Sequence, residues 1–502
     1  MSREQHPPGG TPPQEGTATS SGAPQAEGAS LSSAASGTGM VGGGRGPRPS
    51  FYASRDLTTG SVPKNLAFLA WPQVGENILN IIDQMVDLVW AGRLPGGFRA
   101  LAGVGVAQTF SQVGMMSRQG LDMAMRAMVS RAVGAGNVPL ANHVALQAFT
   151  LSGAYSLLMV VIGLLLTDIL IRVIGASEAV KAETAMYMRI QFIGLAAQSF
   201  RMMSGAALQS TGEVMVPLMA TFVTRLIHIV FTPFFIFGWW WFPHMGLPGA
   251  ALVNILAQIA GGSINFYILF KGYSRLHLTL RGYRLDFSIL RQIIKIGAPA
   301  SVAGTERATA QLILLRLVAP FGDVPMAAYA LTRRMEMFAN FGAMGLGQAS
   351  GIMAGQNLGA HQPNRARQAV LWGLIYVLIV SVAVGIILVL FPSNFVRLFT
   401  SQPDVVALGS VWLRIQVLAA LFMGTGMVFQ QSFNIAGDTL APMVVTLLAL
   451  WGMELPMAWL LSSGTSLGPL GIGYASVIGM AARLLGYIPY FFWGRWLRVR
   501  VI

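Results

Sequence analysis

Three carboxylates lie within one apolar segment of the sequence, ENILNIIDQMVDLVWAG at residues 76–92. Glu76, Asp83 and Asp87 are spaced at i, i+7 and i+11, which places them within roughly 40° of one another on a helix. A carboxylate at the centre of a lipid bilayer costs roughly 2.5–3.5 kcal/mol on insertion scales. The spacing therefore predicts that the acids face a protein-filled or water-filled interior, where carboxylates can bind a proton or a cation.

Each acid also has an alternative, purely structural explanation. Asp87 can pair with an arginine at the end of its helix. Asp83 can shift the pKa of Asp87 through like-charge repulsion, or it can pair with Arg118 or Arg225 on another helix. Glu76 lies about 15 Å into the segment, where a buried structural pair is the favoured role.

Further polar residues in apolar segments are predicted to line a cavity together with Glu76; these are Asn80, Gln108, His228 and Thr232. His228 is a candidate proton relay, and its alternative is a hydrogen-bonded structural histidine. Glu306, in another apolar segment, is a candidate for binding a cation, either an ion or a cationic organic compound. Its neighbour Arg307 points about 100° away on a helix, so the two side chains need not pair.

The composition indicates which structure holds these residues. Of the 502 residues, 54% are hydrophobic and 10% are charged, whereas soluble proteins carry about 25% charged residues. About twelve apolar segments are each long enough to span a bilayer. The sequence therefore predicts an all-α polytopic membrane protein with twelve transmembrane helices.

Several functions are excluded or disfavoured by what the sequence contains. There is no cysteine, so thiolate metal sites are excluded, and neither a P-loop nor an HExxH motif occurs. We expect no enzyme activity and no cofactor. The net charge of +14 does not indicate nucleic-acid binding, because the basic residues cluster in short loops between apolar segments.

The two halves of the chain contain an internal repeat with an offset of about 225 residues. Four short matches occur in the same order: AWPQ with APAS, RAVGAGN with QNLGAHQ, STGEVMVP with IAGDTLAP, and GAAL with GYAS. An even number of spans in each half makes the copies parallel, so two six-helix lobes related by pseudo-two-fold symmetry are expected.

The predicted domains follow from this repeat. They are a disordered tail at 1–61, an N-lobe at 62–270, a cytoplasmic linker at 271–292 and a C-lobe at 293–502 that ends in a short basic tail. The Gly-, Ser- and Pro-rich tail has too little apolar surface to fold, and no signal-peptide pattern follows Met1. The excess of Lys and Arg on one side places the linker and both termini in the cytoplasm.

These residues resemble the multidrug and toxic compound extrusion (MATE) family over about 62–498. The resemblance rests on Pro72, DLVWAG at 87–92, LAGVGVAQ at 101–108, VGAGN at 133–137 and the two loops STGEVMVP and IAGDTLAP. It implies a proton- or sodium-coupled antiporter in the cytoplasmic membrane that exports hydrophobic or cationic organic compounds, and we expect a monomer surrounded by lipid. Asp87 matches the first-span acid that the family uses for cation coupling, and Glu306 lies near the seventh-span acid.

The sequence also departs from the family's pattern. Thr232 occupies the position of an acid that many members carry in the fifth span, and no carboxylate lies near Thr425 in the tenth. The missing tenth-span acid disfavours a sodium site in the second lobe, and the departures also disfavour the family's usual proton network in the first lobe. Of the two ions, the proton is the favoured coupling ion. A lipid or lipid-linked oligosaccharide flippase of the same superfamily is the alternative, because arginines that could hold a pyrophosphate also lie in the spans, namely Arg118, Arg201, Arg225 and Arg483.

Overall fold

The chain folds into long helices. The computed structural model describes the backbone of residues 55–91, 93, 97–173 and 178–501. Within these ranges it describes all side chains except those at 84, 85, 87, 88, 91, 97–111, 113, 170–173, 178–184, 308, 335 and 337–341. Within these ranges there is no strand. The twelve long helices are α1 Val62–Ala91, α2 Gly97–Gly134, α3 Val138–Val173, α4 Glu178–Ser210, α5 Met215–Phe237, α6 Leu247–Lys271, α7 Phe287–Val318, α8 Asp323–Gly359, α9 Pro363–Leu390, α10 Pro403–Ile435, α11 Leu440–Ser463 and α12 Leu470–Trp493.

The fold is the predicted one, with twelve transmembrane helices in two six-helix lobes, α1–α6 and α7–α12. Among the described residues, seven helices are long and apolar enough on their own to cross a membrane, namely α3, α5, α6 and α9–α12. The other long helices carry more charge, and four of them, α1, α2, α7 and α8, join the lobes: α1 packs against α8, and α2 packs against α7 and α8. Their charged side chains therefore lie where protein, rather than lipid, surrounds them.

The internal repeat is visible in the backbone. Gly212 and Gly437, 225 positions apart, both adopt a left-handed conformation, with φ of 94° and 96°. Only glycine adopts this conformation without steric cost, so both turns require it. Pro72 and Pro299, which the repeat also pairs, both lie inside a helix.

The ends of α2 and α8 meet in a reciprocal contact at one end of the bundle. We call this end, which comprises residues 131–137, 211–214, 272–286, 356–362 and 436–439, the linker end. A Cβ atom built on Gly134 would lie 1.9 Å from the Gln356 carbonyl oxygen, and one built on Gly359 would lie 2.1 Å from the Arg131 carbonyl oxygen. Glycine is therefore needed at both positions if the two helices are to approach this closely.

Two hydrogen bonds between the lobes accompany this contact. An Arg131 guanidinium nitrogen donates to the Ala436 carbonyl at 2.8 Å, and Gln356 Nε2 donates to the Ser210 carbonyl at 2.7 Å. Arg131 and Gln356 are equivalent positions of the repeat, so each lobe donates one hydrogen bond and accepts one. The linker end is thus closed by matched contacts. Its predicted location on the cytoplasmic side remains a prediction.

Two predicted boundaries need correction. Residues 55–61, predicted to be tail, pack against the folded chain, since Leu57 is fully buried and its carbonyl accepts a hydrogen bond from Asn357. The linker is shorter than predicted, because α7 begins at Phe287, where the side chain of Asp286 caps the helix by accepting from the backbone N–H groups of Ser288 and Ile289. The predicted short basic tail packs against the folded chain, since Trp496 and Val501 are buried. Residues 1–54 lie outside the described part of the chain.

Glu213 gives the linker end a pH-dependent stability. Burial raises the pKa of this carboxyl, which lies in the turn between α4 and α5, to about 7, although the backbone N–H of Arg275 donates to it at 3.0 Å. Because the folded-state pKa is higher than the unfolded-state value, the protonated form is favoured in the folded protein. Its stabilising contribution is complete below pH 4.5 and is lost as the pH rises towards 7.

We therefore expect Glu213→Gln to stabilise the protein at pH 8 by on the order of 2 kcal/mol, because the buried negative charge is absent. Near pH 4.5 the variant and the wild type should unfold at similar temperatures. Thermal unfolding of the purified protein at both pH values measures this, with Asp404→Asn, at an exposed acid, as the control. A variant that is less stable than the wild type at pH 8 would contradict the assignment.

Candidate functional site

An ion pair and a histidine contact hold Asp83 inside the N-lobe. Arg225 on α5 donates to one carboxylate oxygen of Asp83, and Nδ1 of His228 lies 2.6 Å from the other. A second Arg225 nitrogen donates to Asn80 Oδ1 at 2.8 Å. Of the two predicted arginine partners of Asp83, Arg225 is the one observed. Arg118 instead forms a two-pronged ion pair with Asp122 on its own helix.

Glu76 belongs to a neighbouring part of the same polar interior. Gln209 on α4 donates to its carboxylate at 2.8 Å, and the guanidinium groups of Arg126 and Arg201 are close enough to interact with it electrostatically. Arg201 is itself held by Gln258 at 2.5 Å and Thr221 at 3.0 Å. Glu76 therefore lies among cations, without an ion pair at contact distance in the described residues.

The orientation of α1 explains why these acids converge. Ile78 and Ile82 are about half exposed on one face of the helix, whereas Asp83 is buried on another. Burying the apolar face against lipid and the polar face against α4 and α5 satisfies both sets of side chains. The predicted interior position is thus observed for Asp83. The side chains of Asp87 and Gln108 lie outside the described residues, so their predicted roles remain predictions.

His228 and Thr232 are both fully buried on α5. The Thr232 hydroxyl donates to the His228 carbonyl at 2.5 Å, within the helix. Both side chains are closed off from solvent in this conformation, and their predicted place in the lining of a cavity remains a prediction. The contact of His228 with Asp83 nevertheless brings two titratable groups together inside the membrane-spanning bundle.

The C-lobe holds a separate set of charged residues. Glu306 on α7 is 9% exposed, and Trp451 lies beside it. Within the described part of the chain, neither carboxylate oxygen makes a well-formed hydrogen bond or an ion pair. Asp83 and Glu306 therefore have different surroundings, since Asp83 is held by two nitrogen donors.

Two further C-lobe acids were not among the predicted site residues. Glu336 on α8 accepts from Arg333 at 2.5 Å and from Gln416 at 2.9 Å. Glu454, in the π-helical segment Leu450–Glu454 of α11, accepts from the Ser476 hydroxyl at 3.2 Å. Both are carboxylates inside apolar spans, so the signal that identified Glu76 was present at these positions as well.

A metal site is not apparent in the side chains that the structure describes, which include no group of three or more His, Asp or Glu residues close enough to hold an ion. The acids lie instead in two separate clusters, each accompanied by arginines. Charged groups buried inside a parallel-repeat bundle are typical of secondary transporters.

Comparison with known proteins identifies the class and then the family. The fold and the buried charges define a multi-pass membrane transporter. A family model described as MatE matches twice, at residues 72–234 and 299–460, one match in each half of the repeat. The chain therefore belongs to the multidrug and toxic compound extrusion family, whose members are transporters rather than enzymes.

Relatives and a solved structure agree with this assignment. The chain is 25% identical to "Probable multidrug resistance protein NorM" of Thermotoga maritima, over 88% of this chain and 94% of that protein. It is 24% identical to "FAD transporter" of Shewanella oneidensis, over 68% of this chain and 75% of that protein. The structure described as "Crystal structure of MATE in the bent conformation" has the same fold, with a TM-score of 0.81 and 23% identity over 88% of this chain and 96% of that one.

Proposed function

We propose that this protein is a cation-coupled secondary antiporter, with the proton as the favoured ion, that exports small amphipathic organic compounds across the cytoplasmic membrane. Transport proceeds by alternating access, in which proton binding from outside favours one arrangement of the lobes and proton release to the cytoplasm restores the other. Asp87 is the principal coupling residue, and Asp83 and Glu306 assist. Both termini lie in the cytoplasm, and the working unit is a monomer.

The contact between Asp83 and His228 is the observation that best supports proton coupling. A carboxylate and an imidazole 2.6 Å apart can share or exchange a proton, and the pair lies on α1 and α5 next to Arg225. Movement of α1 relative to α5 would change this contact and so the proton affinity of the pair. Asp87, one helical turn from Asp83 on α1, would respond to the same movement.

The alternative, a substrate that carries an anionic group, is also supported by a specific observation. Of the four buried arginines in the described part of the N-lobe, Arg118 and Arg225 form ion pairs with Asp122 and Asp83, whereas Arg126 and Arg201 have no carboxylate at contact distance. The similarity to a protein named for FAD, a dinucleotide with phosphate groups, agrees with this alternative. A lipid flippase would use the same arginines on a lipid phosphate.

Gradient-driven efflux tests the proposal. In inside-out vesicles, an imposed proton gradient should drive ethidium transport, and a sodium gradient alone should drive it less. Asp87→Asn should reduce proton-driven transport by about tenfold or more, because a neutral residue cannot link the lobe arrangements to the proton gradient.

The exposed-acid variant Asp404→Asn should transport as well as the wild type at equal amounts of folded protein. If neither gradient accelerates transport, the protein is not an antiporter of this kind. If Asp87→Asn keeps its gradient dependence while Glu306→Gln abolishes it, coupling resides in the C-lobe.

A further inference from the structure

A cavity in the C-lobe is lined by arginines from three different helices. It lies between α7, α8, α11 and α12, and its polar lining consists of Arg307, Gln311, Arg333, Thr446, Glu454 and Arg483. Apolar side chains, among them Ala310, Leu314 and Met480, form the rest of the wall. Three guanidinium groups and one carboxylate thus face a largely apolar space.

Within the part of the chain that the structure describes, two of these arginines have no carboxylate at contact distance. Arg333 forms an ion pair with Glu336 at 2.5 Å. Arg307 makes one hydrogen bond among the described residues, to the Met423 sulfur at 2.7 Å. A thioether is a weak acceptor, and a guanidinium carries five N–H donors, so most of the donors of Arg307 remain available.

Arg483 likewise has only neutral partners among the described residues. It donates to Gln430 Oε1 and, at 3.2 Å, to the Tyr487 hydroxyl. Arg307 and Arg483 are close enough to repel each other, and nearby carboxylates, Glu336 and Glu454 for Arg307 and Glu306 for both, offset part of that repulsion without forming an ion pair with either arginine. Buried like charges are costly unless an opposite charge compensates them. An anion between the two guanidinium groups would remove this cost and form charge-assisted hydrogen bonds with both.

We propose that this cavity is a binding subsite for an anionic group of the transported compound, a phosphate or a carboxylate, held by Arg307 and Arg483. The apolar wall formed by Ala310, Leu314 and Met480 would contact the hydrophobic part of the same molecule. The proposal rests on the proposed transport function and adds amphipathic anions and zwitterions to its substrates, beside cations such as ethidium. A purely cationic compound would meet the guanidinium groups of Arg307 and Arg483 here and would bind elsewhere.

Two flavins that differ by one phosphate test this subsite. FMN and riboflavin share the same ring system and side chain, and only FMN carries the phosphate. We expect the purified full-length protein, in nanodiscs of phosphatidylcholine, to bind FMN at least about tenfold more tightly than riboflavin, the gain typical of a charge-assisted hydrogen bond. The change in flavin fluorescence on titration with protein measures both affinities.

Variants of the two arginines should remove this preference. Arg307→Gln and Arg483→Gln should each lower the FMN affinity to about that of riboflavin and leave riboflavin binding unchanged. Arg307→Lys should retain part of the preference because it keeps the charge. The matched control is Arg316→Gln, which removes the same charge from an exposed position of the same helix and should bind both flavins as the wild type does.

The outcomes separate this inference from the antiport mechanism. Equal affinities of the wild type for FMN and riboflavin would overturn the subsite, as would unchanged FMN binding in the folded Gln variants. If neither Gln variant folds, two other results test the subsite. The wild type must bind FMN more tightly than riboflavin, and Arg307→Lys must keep part of that preference. If a gradient drives ethidium efflux but FMN binds no more tightly than riboflavin, the subsite is refuted and the antiporter is not. If FMN binds more tightly than riboflavin but no gradient drives transport, the antiporter is refuted and the subsite is not.

The source of the anion can be read from the same assay. If replacing part of the phosphatidylcholine by phosphatidylglycerol weakens FMN binding and leaves riboflavin binding unchanged, the subsite takes a lipid phosphate. If FMN binding is insensitive to phosphatidylglycerol, the subsite takes the phosphate of a soluble compound.

Discussion

Replacing Asp83 with asparagine is expected to destabilise the folded protein by about 3–5 kcal/mol, the usual effect of removing one partner of a buried ion pair. Asp83 and Arg225 are 8% and 4% exposed, so water cannot compensate for the lost carboxylate. The amount of folded protein recovered in detergent and its unfolding temperature measure this loss. A variant as stable as the wild type would show that the ion pair contributes little.

The double variant Asp83→Asn/Arg225→Gln separates stability from coupling. It removes both charges, and we expect it to regain most of the stability, because replacing a buried ion pair by neutral groups is often close to neutral. Gradient-driven efflux should nevertheless stay low, because the contact with His228 no longer includes a carboxylate. Efflux per folded molecule is the measurement.

A second buried ion pair provides a matched control. Arg118 and Asp122 pair within α2 at 2.8 Å, so Arg118→Gln/Asp122→Asn removes the same two charges from the same lobe. We expect this control to fold and to keep its response to the proton gradient. If the double variant at Asp83 and Arg225 also responds normally to the gradient, the pair is structural and coupling depends on other acids.

Alanine at Gly359 is expected to abolish efflux by opening the linker end. Its Cβ would lie 2.1 Å from the Arg131 carbonyl oxygen, a backbone atom that cannot move away by rotating a side chain. The ends of α2 and α8 must therefore separate. Overpacking of this kind costs about 1–3 kcal/mol. A cost of this size shifts the equilibrium between a closed and an open linker end roughly 5- to 150-fold towards the open form. Gly134→Ala should have the same effect, since its Cβ would meet the Gln356 carbonyl.

The separation can be measured directly, because the chain lacks cysteine. Spin labels attached to cysteines at the exposed positions Ala135 and Asn364 should move further apart in the Gly359→Ala variant. Gly342→Ala on the same helix is the control, since its Cβ would meet no atom within 4 Å. If Gly359→Ala leaves both the label distance and the efflux as they are in the control, the close contact does not hold this end closed.

The helices and the two-lobe plan were predictable because they depend on local sequence. Apolar segments of sufficient length predict spans wherever they occur. The repeat in the sequence pairs Gly212 with Gly437, and the two glycines share one backbone conformation. The polar stripe of α1 also follows from helical periodicity alone. The start of α7 was predicted six residues too late, because the capping function of Asp286 outweighs the polarity of the residues that follow it.

The partners within the candidate site could not be predicted in the same way. Arg118 and Arg225 were equally good partners for Asp83 by sequence, because the choice depends on how α1, α2 and α5 pack. The arginine cavity of the C-lobe was missed for a related reason. Arg307 and Arg483 lie 176 positions apart in the sequence, and nothing local indicates that they face one cavity.

The reciprocal contact between α2 and α8 also bears on how such a protein could have arisen. Each half has six spans, so both halves enter and leave the membrane on the same side, and each presents the same surface to the other. This is the geometry of an isologous dimer, in which one patch is complementary to itself. A six-helix ancestor could have made the same contact between two identical subunits, and gene duplication with fusion would have preserved it. Fusion then freed the halves to diverge, which is compatible with an acid–histidine contact in one lobe and an arginine-lined cavity in the other.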